Sequence, residues 1–109
     1  MKFEMSNQIA LQHPDWKESK TYYEEVMGLD VKMEKDHLHI QSGEMNLYIM
    51  DNRKLRGIVT EFNVDDVEAA RKYLENNGCT VLKWEGKGKD CYMGDPYGLV
   101  FNLWENKKE

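Results

Sequence analysis

The sequence predicts an α+β fold built from two βαβββ modules, on three observations. Asp15, Glu18, Tyr23 and Gly28 recur fifty places later as Asp65, Glu68, Tyr73 and Gly78. In each copy an extended apolar segment precedes a capped amphipathic helix, and three short strand-like runs follow. Those runs alternate polar and apolar residues, the period-two signature of a sheet whose two faces are used differently. The 109 residues then make one domain, with module one over residues 6–51 and module two over residues 57–106.

In chain order, Gln8–His13 reads as the first strand, closed by Pro14, which has no N–H for a ladder. Asp15 and Glu18 have the spacing of a capping box. Trp16, Ser19, Tyr23 and Val26 follow as one helical stripe, and Gly28 is the left-handed terminator. Strands are expected at about Asp30–Glu34, His37–Gln41 and Met45–Met50, with turns at Lys35-Asp36 and Ser42-Gly43-Glu44. Asp51–Gly57 is a short polar connector. Ile58–Val64 opens module two, with Thr60, Phe62 and Val64 on one side. Asp65 or Asp66 caps a helix that carries Val67, Ala70, Tyr73 and Leu74 inward and stops at Asn77-Gly78. The last strands are about Thr80–Trp84, Asp90–Met93 and Leu99–Trp104. Before the final one sits Asp95-Pro96-Tyr97-Gly98, a turn in which proline fixes φ and glycine tolerates a positive one.

Composition narrows the partners. A net charge of −5, with lysines scattered among carboxylates, argues against a phosphate-backbone binder, so no nucleic acid is expected. The one local basic run, Arg53-Lys54-Leu55-Arg56, reads as a solvated connector. No signal peptide and no apolar stretch long enough to cross a bilayer is visible; a cytoplasmic protein without a membrane partner is the expectation. Cys79 and Cys91 read as small buried hydrophobes, not as a disulfide framework or an activated thiol. Gly86-Lys87-Gly88-Lys89 is too short for a phosphate loop and reads as a hairpin loop.

The run Tyr22-Tyr23-Glu24-Glu25-Val26-Met27-Gly28-Leu29 after the first Asp-helix, and the turn Asp95-Pro96-Tyr97-Gly98, together resemble signatures of the vicinal oxygen chelate superfamily. That superfamily includes glyoxalase I, extradiol dioxygenases and bleomycin-resistance proteins. The resemblance spans about Gln8 to Glu105. It implies a curved, half-open, eight-stranded mixed sheet with helices outside and a cup inside. Alternation then assigns Ile9, Leu11, Phe62, Val64, Phe101 and Leu103 to the helix side. Gln8, Ala10, Gln12, Val59, Glu61, Asn63, Val100, Asn102 and Trp104 fall on the cup side.

The resemblance also implies places for a metal: a histidine on the first strand, a histidine on the fifth, a glutamate on the eighth and often one more on the fourth. Here those places hold Gln8, Val59, Asn102, and Tyr48 or Asn46. Valine has no lone pair, and amide oxygens are weak donors to a transition metal. No metal and no cofactor are therefore expected. His37-x-His39 puts two imidazoles on one side of a strand, and with Glu61 that pair is the other arrangement able to chelate; the alternative is a metal-free histidine face. His13, in the apolar register, reads as partly buried and hydrogen-bonded.

The implied cup is lined by Gln8, Gln12, His37, His39, Tyr48, Met50, Glu61, Asn63, Asn102 and Trp104, a mixture that suits a small organic molecule. Two readings stand. One is a metal-independent protein that binds a small aromatic or cationic molecule, of the glyoxalase/bleomycin-resistance type. The other is an enzyme, a glyoxalase-like lyase or isomerase, using the histidine pair or Glu61 as a catalytic base. A homodimer is implied by the resemblance.

Overall fold

A computed structural model describes residues 1–53 and 55–106; Lys54 of the basic run lies outside the described residues. The elements are β1 (Glu4–Met5), β2 (Gln8–Gln12), α1 (Ser19–Thr21) running into a π-helical turn (Tyr22–Val26), β3 (Val31–Met33), β4 (Leu38–Ser42) and β5 (Met45–Met50). There follow β6 (Gly57–Val64), α2 (Val67–Glu75), β7 (Thr80–Trp84), β8 (Cys91–Gly94) and β9 (Val100–Glu105). They form two compact units, Asn7–Val59 and Met1–Ser6 with Thr60–Glu109. The division falls inside β6. Its first three residues pair with β2, and the rest pairs elsewhere. The strands build mixed, unclosed sheet with two short helices, the α+β class that the sequence predicts.

In the first unit, β2 runs parallel to β5, with Gln8 opposite Asn46 and Gln12 opposite Met50. β4 lies antiparallel between β5 and β3. The core is Leu38, Ile40 and Ile49, with Leu11, Trp16, Tyr23, Leu29, Val31 and Leu47 packed against it. Ile9, assigned to the same side, is partly buried. Three details differ from the sequence reading. The Asp15 amide donates to His13 Nδ1 at 3.0 Å, Glu18 makes no side-chain cap, and the helix starts only at Ser19, so no capping box forms. His13 is exposed and hydrogen-bonded. Val26 is also exposed, because the Met27 amide donates to the Tyr22 carbonyl five residues back. That wider turn rotates later side chains off a stripe phased for 3.6 residues. Gly28, at φ 70°, ends the helix, and Leu29 returns to the core.

The connector folds onto its own backbone. Arg56 Nη1 donates to Asp51 Oδ1 and to the Asn52 and Leu55 carbonyls, while Leu55 itself is buried.

In the second unit, β1 pairs antiparallel with β6, β6 runs parallel to β9, and β8 lies antiparallel between β9 and β7. Alternation along β6 and β9 sends Phe62, Val64, Phe101 and Leu103 into a core with Cys91, Met93, and the α2 residues Val67, Ala70 and Leu74. Asp66 is the N-cap of α2, its Oδ1 accepting from the Ala69 amide at 3.0 Å. Tyr73 departs from the expected inward stripe. It is 47 % exposed, and its ring stacks on Phe3 at 6.2 Å. The two-residue β1 is too short for periodicity to mark it.

The turn before β9 forms as the sequence predicts. Asp95 Oδ1 accepts from the Tyr97 amide at 2.8 Å and the Leu99 amide at 2.9 Å, and Gly98 sits at φ 97°. Replacing Asp95 by Ala removes both acceptor contacts and is expected to lower unfolding free energy by about 1–2 kcal/mol in urea titrations. Asp95→Asn, which keeps an acceptor oxygen, is expected to lose clearly less.

Candidate functional site

The ten residues assigned to the ligand face divide between the units. Gln8, Gln12, His37, His39, Tyr48 and Met50 belong to the first unit, and Glu61, Asn63, Asn102 and Trp104 to the second. Each set is described on its own unit.

In the first unit, pairing puts Gln8 beside Asn46, Ala10 beside Tyr48 and Gln12 beside Met50, with His39 opposite Tyr48 on β4. One pleat face therefore carries these side chains, and the apolar core occupies the other. Tyr48 is the centre of the face. His39 stacks on it at 4.7 Å with rings 6° from parallel, and His37 leans toward it at 5.7 Å. The imidazoles are positioned separately. His39 Nε2 is 2.8 Å from Asn46 Oδ1, and His37 Nδ1 is 2.7 Å from Asp36 Oδ1. That contact is also the leading reason the Asp36 carboxyl lies below the usual carboxylate range. Gln12 is buried and holds the connector, its Oε1 accepting from the Asn52 amide at 2.8 Å. Gln8 Nε2 donates to Asn7 Oδ1.

In the second unit, register places Glu61 beside Asn102, Tyr92 across from Asn102, and Asn63 beside Trp104. Ser6 Oγ donates to Glu61 Oε2 at 2.6 Å. Asn102 is buried and engaged at both ends: its Oδ1 accepts from the Cys91 amide at 3.0 Å, and its Nδ2 donates to Asp90 Oδ1 at 3.1 Å. Tyr92 Oη reaches Asp90 Oδ2 at 3.4 Å. Burial, reinforced by the Asp90 and Glu61 carboxylates, pushes the Tyr92 hydroxyl up to about 12. Trp104 is 45 % exposed at the strand end and lines a cavity beside the start of α2. Sequence reasoning missed Ser6, Asp90 and Tyr92. The signal for Tyr92 was present, since buried Cys91 and Met93 flank it at period two. The Ser6–Glu61 contact spans 55 positions and left none.

These residues do not suit the metal that the fold family implies. Val59 has no donor atom and is buried. Asn102 has committed its oxygen to a backbone amide, and Asn46 has committed its oxygen to His39. Among the described residues no three His, Cys, Asp or Glu side chains converge as a metal would require. A thiol nucleophile is no better supported. Burial pushes Cys91 up to about 11, and burial, then Asp95, raises Cys79, which is only partly buried.

A sequence profile described as the Glyoxalase/Bleomycin resistance protein/Dioxygenase superfamily matches residues 6–103. Among solved structures, the chain is similar to a protein of Bacillus halodurans described as hypothetical, at 12 % identity and TM-score 0.67, covering 100 % of this chain and 98 % of that one. It is likewise similar to a glyoxalase/bleomycin resistance protein/dioxygenase superfamily member from Vibrio splendidus, at 16 % identity and TM-score 0.67, covering 96 % and 100 %. A protein described as an NAD-dependent benzaldehyde dehydrogenase from Legionella pneumophila is similar at 11 % identity and TM-score 0.67, covering 92 % and 98 %. At these identities the likeness is one of fold. No curated protein matches the sequence.

The Tyr92 environment has a pH signature. Its hydroxyl ionises at about 12 in the folded chain against 10.0 ordinarily, so the folded state holds this proton more tightly than the unfolded state. The resulting stabilisation is complete below pH 10 and is lost as pH rises through 12. Urea titrations across that interval are expected to show wild type losing stability faster than Tyr92→Phe. Parallel curves would mean that Tyr92 lacks this environment.

Proposed function

The chain belongs to the Glyoxalase/Bleomycin resistance protein/Dioxygenase superfamily, and from that premise we propose that it is a metal-independent small-molecule-binding protein. The observation that carries this reading is the state of Asn102. It stands where the family resemblance puts a carboxylate ligand, and both ends of its amide are bound to the protein's own groups. Recruiting it to a metal would leave the Cys91 amide without that acceptor, at a cost of about 1–3 kcal/mol for a buried donor.

The ligand is a small organic molecule with an aromatic or cationic part. Tyr48 with its two imidazoles supports an aromatic part, because a flat π-surface on a rigid strand pair binds planar groups with little loss of side-chain freedom. Glu61 and Asp90 beside Tyr92 support a cationic one. The protein acts in the cytoplasm as a homodimer in this reading.

Metal content after purification without chelators, followed by thermal unfolding with aromatic cations, tests the proposal. Expected are divalent metal far below one ion per chain, a melting temperature indifferent to chelator, and a saturable rise with a bound ligand. At a hundredfold excess over Kd that rise corresponds to about 2.7 kcal/mol. Tyr48→Ala is expected to abolish most of it. Stoichiometric zinc, nickel, manganese or iron, with destabilisation on chelation, would overturn the metal-independent reading.

A further inference from the structure

A cavity of about 430 Å³ in the second unit lies at the start of α2, bounded by the β7–β8 loop and the end of β9. Its size is that of a small-ligand site. It is not an anion hole of the helix terminus, because the terminus is already capped. The Val67 amide donates to Glu105 Oε1 and the Ala69 amide to Asp66 Oδ1. What the cavity offers comes from elsewhere.

Its apolar walls include Trp84 and Trp104. The Arg71 guanidinium lies 4.1 Å from the Trp84 ring centroid and holds that wall in place. Lys87 and Lys89 stand exposed on the loop, and neither forms an ion pair among the described residues. Facing the same space are Asp65, Asp66, Glu68 and Glu105, of which Asp66 caps the Ala69 amide and Glu68 pairs with Lys72 at 3.6 Å. Asp65 Oδ1 accepts from Asn106 and Glu105 Oε1 from Val67, which leaves the second oxygen of each carboxylate for a ligand N–H.

Both signs of charge therefore surround one aromatic-walled space. A simple anion would meet the carboxylates, and a simple cation would meet the lysines. A molecule carrying both charges next to a ring satisfies each wall at once. We propose that this cavity binds a small aromatic zwitterion, with the chemistry of a free aromatic amino acid. The site draws on groups other than the Tyr48 and Glu61 faces and does not depend on the function proposed above.

The test titrates the full ¹⁵N-labelled chain with L-phenylalanine, phenethylamine and phenylpropionate, the last two each lacking one charge. Saturable shifts are expected at the Trp84 and Trp104 indole N–H signals and at the Lys87 and Lys89 amides. Each single-charge analogue should bind about tenfold more weakly than phenylalanine. The double variant Lys87→Gln, Lys89→Gln should weaken phenylalanine about tenfold and leave phenethylamine unaffected. Both lysines are exposed, and an unchanged urea midpoint confirms that the variant is folded. Absence of saturable shifts, equal affinity for the three compounds, unchanged affinity in the folded double variant, or shifts confined to Tyr48, His39 and Glu61 would each overturn the proposal.

Discussion

The side chain of Asn102 is the constraint on which the polar face of the second unit depends. It sits buried on β9, accepts from the Cys91 amide and donates to Asp90. Only a neutral amide of that length does both. A carboxylate would have no proton for Asp90 and would set two negative charges together in a partly buried place, where repulsion is weakly screened. The residue that unsuits this position for a metal is thus the one that suits it to fixing the start of β8. Once Cys91 is fixed, alternation follows: Cys91 and Met93 enter the core, and Tyr92 turns to the polar face beside Asp90 and Glu61.

The first unit reaches a similar end by different contacts. Gln12 is buried and spends its oxygen on the connector amide of Asn52, and Asn46 spends its oxygen on His39. Amides on these strands work as tethers. The groups that remain on these faces are then rings and acids: Tyr48 with its flanking imidazoles in one unit, Glu61 and Tyr92 in the other. This division, with amides committed to structure and rings and acids left over, is the physical basis of the binding role without metal chemistry that we propose.

Much of the fold was legible because two periods dominate the sequence. Phe62, Val64, Phe101 and Leu103 lie in the core as strand alternation requires, and the Asp95 turn carries the bonds its residue types favour. The departures each have a local cause that a fixed period does not encode. Val26 left its stripe through a π turn, the Asp15 amide was taken by a histidine ring, and Tyr73 stacks on a phenylalanine seventy positions away. Nine of the ten face residues were legible as strand positions, and His37 lies one residue before β4. Their partners were not, since Ser6–Glu61 and Asp90–Asn102 are set by register between distant strands. The cavity near Trp84 joins a loop, a helix start and a strand end, and no single segment announces it.

Hydrogen exchange at the Cys91 amide, compared between wild type and Asn102→Ala, tests the assignment of Asn102 as a structural tether most directly. If the tether holds, the Cys91 amide is protected in wild type and exchanges about ten- to a hundredfold faster in the variant, while the Met93 amide in the same strand is little changed. Equal exchange at Cys91 in both proteins would contradict it, and with it the reason for excluding a metal at this position.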